Sequence, residues 1–256
     1  MPTPDRPSPL LPLLSWLALP VYVWQGVGVR LRTVRMLPAK GRVLHRIAGK
    51  GEPLNLLVIG DSSAASVGIG STDHGIAAQL AGLVSSRTGR PVAWRAAGYN
   101  SATAGQLRDF VVPNLAPGDW THIVIAVGTN DMKNFHTARR FKAEFGGLLY
   151  ALRAKWPEAR VVWSPVIDMR LVPALPPLLG RVLEIRARLL NHVGTQLCVE
   201  RGAVAASRLP VEDPQAGFSR DGFHASEAGY AAWAQHLLPF VMEEIAIEDV
   251  SEPSTS

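Results

Sequence analysis

Five short apolar runs constrain the fold more than any other feature. They are LNLLVIG (54–60), PVAWRAA (91–97), THIVIAVG (121–128), ARVVWSPV (159–166) and GAVAAS (202–207). A run that is apolar at nearly every position, rather than at every second one, suits a strand covered on both faces. Between the runs lie stretches with helical spacing near 75–88, 102–112, 137–155 and 180–200, and a last one covers 226–246. This alternation predicts an α/β domain with a mostly parallel five-stranded sheet and helices on both faces. With no fixed-period repeat and no internal linker, we expect one domain over 51–247. A segment at 1–50 precedes it, and a polar tail at 248–256 is expected to be disordered.

Charge is distributed unevenly. Residues 1–50 hold eight Lys/Arg and one acid (+7), so the other 206 residues, with 18 basic and 20 acidic side chains, carry −2. The body is therefore not basic, and no strip of Lys/Arg interleaved with aromatics marks a nucleic-acid groove. Cys198 is the single cysteine, which excludes an intramolecular disulfide and a Cys-rich metal site.

LLPLLSWLALPVYVWQGVGV (10–29) has no charge over 20 residues and is followed by Arg30, Arg32 and Arg35. Pro12 and Pro20 weaken it as a straight spanning helix. As a secretion signal it is poor, with Arg6 alone as a basic start and no small-residue cleavage site. Its length and apolarity are compatible with a span, and three readings stay open: a membrane span by residues 10–29, membrane-surface association through residues 10–35, and packing against the body. The basic cluster favours a body that is cytoplasmic or on the cytoplasmic face of a membrane.

In open parallel sheets, ligands bind beyond the carboxyl ends of the strands. Three polar, glycine-marked turns follow the runs on that edge: Gly60-Asp61-Ser62, Gly98-Tyr99-Asn100 and Gly128-Thr129-Asn130-Asp131. A serine becomes a nucleophile when a base held in one tautomer reaches its hydroxyl. DGFH (221–224) offers such a unit, because Asp221 can accept from His224 Nδ1–H and leave Nε2 for the serine. Acyl transfer also needs donors for the developing oxyanion. The Ser62 backbone N–H, an approach over Gly98, and the neutral amide of Asn130 are candidates. Asp61 and Asp131 are read as structural, tying the turns together.

IGDSS (59–63), the Gly98 turn, GTND (128–131) and DGFH (221–224) match, in order and spacing, the four blocks of the SGNH (GDSL-type) hydrolases. The chain resembles that family over about residues 54–240. The resemblance implies a three-layer α/β/α flavodoxin-like fold and serine ester hydrolysis with no metal or other cofactor. It implies Ser62 as nucleophile, His224 as base, Asp221 as the residue that orients His224, and an oxyanion hole from Ser62, Gly98 and Asn130. Two departures stand out. Ser63 occupies the position of the namesake Leu, and the second block, AAGYNSATA (96–104), lacks the second glycine that often follows.

The expected activity is hydrolysis of short- to medium-chain carboxylic esters through an acyl-serine. The expected partner is a small-molecule or lipid ester, with no nucleic acid. Other readings use the same residues: an acyltransferase with the same triad, a metal-dependent phosphoesterase on Asp61, Asp131, Asp221 and His224, or a non-catalytic membrane-associated scaffold. A nucleotide site is disfavoured, since neither G-x-x-x-x-G-K-[ST] nor G-x-G-x-x-G occurs at the first turn. The loop VIDMRLVPALPPLLGRV (166–182) is read either as an apolar wall or lid for the acyl chain, or as packing against a neighbouring helix.

Overall fold

The computed structural model describes residues 16–243, except 33 and 35; the expected tail at 248–256 lies outside them. A helix, α1 (Leu19–Arg32), and a short strand, β1 (Leu44–Ile47), come first. The body follows as β2 (Leu54–Gly60), α2 (Ile76–Thr88), β3 (Val92–Gly98), β4 (His122–Ala126), α3 (Thr129–Lys133) and α4 (Ala138–Lys155). It is completed by β5 (Arg160–Ser164), α5 (Pro177–Glu200), β6 (Val204–Ala205), α6 (Pro214–Gly217) and α7 (Glu227–Met242).

The strands form one sheet in the order β1-β3-β2-β4-β5-β6. All neighbours run parallel except β1, which pairs antiparallel with β3. The five parallel strands are the five apolar runs, in the order of a flavodoxin-like doubly wound sheet. The sixth strand corrects the five-stranded expectation. LHRI (44–47) lies on the exposed edge with a basic and an imidazole side chain, so it carries no buried apolar run to announce it.

Alternation through the sheet sorts the core into two layers. Leu57, Ile59, Ile123, Ile125, Val161 and Trp163 point to the side covered by α4 and α5. Leu56, Val58, Trp94, Val124 and Val162 point to the side covered by α2 and α7. Every residue of β4 and of β5 is buried, which is why these runs show no polar alternation.

Local signals set the helix ends. Thr137 Oγ1 accepts from Arg140 N at the start of α4, and Gly89 closes α2 at φ 69°. Pro177 opens α5 three residues before the expected start, a position where its missing N–H costs nothing. The expected helix at 102–112 is a short turn at Ala104–Gln106 that widens into a π-helical turn over Leu107–Val111.

Chain reversal at β2, with β3 on one side and β4 on the other, opens a crevice at the carboxyl end of these strands. Ser62 lies two residues beyond the end of β2, at that crevice.

Candidate active site

The turn after β2 is held by its own carboxylate. Asp61 Oδ1 accepts from Ser63 N at 2.9 Å and from Ser63 Oγ at 2.7 Å. Asp61 Oδ2 accepts from Asn130 Nδ2 at 3.2 Å. Complete burial pushes the Asp61 carboxyl above its ordinary range, opposed by the Ser63 hydrogen bonds. Ser63, in the position of the namesake leucine, is therefore a bracing hydroxyl already committed to Asp61. The Ser62 backbone N–H makes no hydrogen bond among the described residues.

Ser62 Oγ lies 3.2 Å from His224 Nε2. On the far side of the ring, Nδ1 lies 2.6 Å from Asp221 Oδ2. A carboxylate only accepts, so the proton of the ring sits on Nδ1 and Nε2 faces the serine. Asp221 Oδ1 accepts three more hydrogen bonds, from Ser219 Oγ (2.8 Å), Phe223 N (2.9 Å) and His224 N (2.9 Å). Burial alone would raise the Asp221 carboxyl, but the bonds from His224, Phe223 and Ser219 outweigh it and hold the group well below the usual carboxylate range. Gly222, at φ 67°, makes the tight turn between carboxylate and imidazole possible.

Asn130 is buried in the first turn of α3, and its amide donates to Ala102 O at 3.0 Å as well as to Asp61. Asp131, beside it, points elsewhere and accepts from Ala104 N at 3.1 Å. Asn130 and Asp131 thus tie the second and third turns together.

Gly98 is placed differently from the expectation. It is not on the cavity wall, and a Cβ there would lie 2.0 Å from Ala65 N and 2.3 Å from Ala64 C. Its missing side chain lets the serine turn settle onto the end of β3. Gly98→Ala is accordingly expected to destabilise the fold by at least about 2 kcal/mol, read as a lower denaturant midpoint. The backbone after it is unusual in another way. Ser101, within the glycine-poor second block, stands at φ 65°.

A cavity of about 470 Å³ opens over Ser62 and His224. Val166, Ile167, Met169 and Val172 form part of its wall, so the first half of the 166–182 loop meets the cavity. The Leu/Pro-rich middle contributes Val172 alone, and Ala174 N bonds to Gly222 O, which braces the Asp221–His224 turn. The opposite wall is the segment 209–213 with Phe218, Ala228, Ala232 and Trp233, which sequence reasoning missed. Its only signal is the small residues of α7, Ala228, Gly229 and Ala232, which leave room on one side.

Buried Glu184 fixes the loop wall. It accepts from Met169 N (3.1 Å) and from Arg208 (2.7 Å), and Arg208 also holds the Val166 and Ile167 carbonyls.

Asp61, Asp131, Asp221 and His224 are not brought to one centre, which removes the geometric basis of the metal-dependent phosphoesterase reading. Among the described residues, the group with ligand atoms close enough to share a cation is Asp131, His136 and Glu144, all within 4.8 Å. His136 Nδ1 occupies its middle, 3.2 Å from each carboxylate.

A family model described as GDSL-like Lipase/Acylhydrolase matches residues 58–232. No curated protein matches the sequence. Solved structures resemble the fold at low identity. The crystal structure of TesA aligns with a TM-score of 0.59 at 20% identity, covering 75% of this chain and 99% of that one. A family 3 carbohydrate esterase from Clostridium thermocellum gives 0.58 at 14%, over 78% and 100% of the two chains. An extracellular lipase from Streptomyces rimosus gives 0.54 at 15%, over 72% and 98%. The three strand-end turns, the Asp221–His224 turn that meets them and the matching family model lead to one conclusion: the chain belongs to the GDSL-like lipase/acylhydrolase family and is a carboxylic ester hydrolase.

Proposed function

We propose that the protein hydrolyses carboxylic esters of short to medium acyl chain through an acyl-Ser62 intermediate. The observation that carries this reading is the Ser62–His224 contact at 3.2 Å on the floor of a largely apolar cavity. Ser62 Oγ attacks the ester carbonyl as His224 Nε2 takes its proton. The C–O bond to the alcohol then breaks, and the alkoxide leaves with the proton from His224. Water repeats the sequence on the acyl-serine, with His224 again as base. Asp221, ionised and bonded to Nδ1–H, stabilises the imidazolium in both halves without itself taking the proton.

The oxyanion is held by the Ser62 N–H and by Asn130. The Asn130 N–H directed at Asp61 is the longer of its two bonds, and it is the one an oxyanion in the cavity would draw. Gly98 serves this arrangement by letting the turn sit close to β3.

A volume of about 470 Å³ lies in the lower half of the range for small-molecule sites. Its aliphatic and aromatic wall favours an acyl chain over a charged acid. Rates along a p-nitrophenyl series from acetate to decanoate, measured in EDTA, test this directly. A maximum at short or medium chains is expected. A steady rise to the longest ester, or dependence on an added metal, would overturn the reading.

Ala232 lies on the wall one helical turn beyond Ala228 and is exposed to the cavity side of α7. Ala232→Phe is expected to lower the rate on decanoate relative to acetate by about tenfold, because the ring occupies the far end of the cavity. An unchanged ratio would place the chain elsewhere.

A further inference from the structure

Helix α1 is apolar on both sides. Its inner side, with Tyr22 and Val29, packs onto the core and onto α5. Tyr22 OH donates to Lys133 O, and the Tyr22 and Trp16 rings meet Phe135 at 4.3 and 5.7 Å. This side of the helix therefore rests on the body. The outer side repeats at helical spacing through Pro20, Trp24, Val27 and Leu31, with Leu17 just before the helix in the same series, all exposed. Leu17 is 70% exposed, Trp24 77% and Leu31 81%. Val34 and Leu37, beyond the helix, continue the exposed apolar series. A solvent-facing helix normally places charge there, yet residues 16–29 contain none.

No helix of the described residues is long and apolar enough to cross a membrane. With 14 residues, α1 falls short of the roughly 20 that a span needs. Its outer ridge therefore has water, a protein or a lipid surface as its options. Charge decides among them. The ridge is followed in sequence by Arg30, Arg32 and Arg35, and then by Lys40, Arg42, Arg46 and Lys50, the last four exposed. An apolar ridge with an interfacial Trp, next to a basic flank in a chain whose remainder carries −2, is complementary to an anionic bilayer.

The position next to the catalytic edge adds a second argument. Lys133, whose carbonyl receives Tyr22, lies with Nζ 4.8 Å from the Phe223 ring centroid, and Phe223 borders the cavity beside His224. After the helix, the chain passes the catalytic turn, where Met36 Sδ lies 3.5 Å from Ser219 Oγ. It then pairs with the loop after β2 at the Lys40–Ser71 bridge, before β1 joins the sheet edge. Helix α1 and the chain up to Lys40 therefore pass beside the catalytic edge, and β1 then carries Arg46 towards the amino end of β3.

We propose that α1 and the basic segment that follows it to Lys40 form an interfacial docking element that seats the protein on anionic lipid, with the cavity mouth facing the membrane surface.

The test is flotation of the purified full chain with phosphatidylcholine vesicles, with and without phosphatidylglycerol, beside a Leu17→Ser/Trp24→Ser/Leu31→Ser variant. Flotation reads binding without turnover, so its outcome is separate from that of the esterase reading. Wild type is expected to float with phosphatidylglycerol vesicles and far less without them. The variant should bind at least about tenfold more weakly while hydrolysing p-nitrophenyl acetate at the wild-type rate, which verifies its fold. Three results would overturn the proposal: no flotation of wild type, equal binding by the variant, or binding indifferent to phosphatidylglycerol. A wild-type dimer that the variant converts to a monomer, with no vesicle binding, would assign the ridge to a second copy instead.

Discussion

Ser62→Ala is expected to lower kcat on p-nitrophenyl esters by about a million-fold while leaving stability within about 0.5 kcal/mol of wild type. The size of the loss follows from what surrounds the missing oxygen. Ser63 Oγ, the nearest hydroxyl in sequence, is bound to Asp61 Oδ1 at 2.7 Å and faces its own carboxylate. It cannot take over as nucleophile without breaking the brace that shapes the turn. With no replacement atom, the bond-forming step is lost and only the weak effect of binding and oxyanion donors remains. The fold survives because Ser62 Oγ contributes a single long contact to His224, whereas the turn rests on Asp61, Ser63 and the backbone. Steady-state rates and a denaturant melt on one preparation check both halves. Retention of more than about one per cent of activity would move the nucleophile elsewhere.

Asp221→Asn should cost about 10⁴ in kcat, for a different reason. The amide is isosteric, and its oxygen can keep the three bonds that Oδ1 accepts from Ser219, Phe223 and His224. The NH₂ then faces His224 Nδ1, which is forced to accept. The ring proton moves to Nε2, and the base points an N–H at the serine instead of a lone pair. Geometry is retained while the tautomer is wrong.

Asp221→Ala loses the loop bonds as well, so it should also lower Tm, and the pair of variants separates the chemical role from the structural one. The pH dependence of stability gives a further check. The folded-state carboxyl of Asp221 is held below its unfolded value of about 3.9, so its contribution is present above that pH and is lost as pH falls through the folded value. Asp221→Asn removes that acid-side slope. If the variant turns over at more than a tenth of the wild-type rate, Asp221 does not set the tautomer.

How much of this was legible beforehand depended on periodicity. The parallel strands were readable because burial on both faces leaves long apolar runs. The contacts among Ser62, His224 and Asp221 were readable because Ser62 follows a strand directly, while Asp221 and His224 share one turn. Positions defined by approach rather than pattern were not. Gly98 looks like a cavity glycine in the sequence, yet its role is set by the backbone of Ala64 and Ala65 lying against it. Strand β1 lacks an apolar run because one face and its outer edge meet water. The wall at 209–213 has no period at all, since loop residues line a cavity by where the chain is led. The dual character of α1 was half legible: its apolarity was plain, but which side met the body depended on Phe135 and Lys133, far along the chain.

The most direct test of the acyl-serine chemistry is covalent capture. The wild-type protein would be treated with an alkyl fluorophosphonate and the modified peptide identified by mass spectrometry. One adduct per chain is predicted, on Ser62, with activity lost in step and no labelling of Ser62→Ala. An adduct on any other residue, or complete loss of activity with Ser62 unmodified, would contradict it.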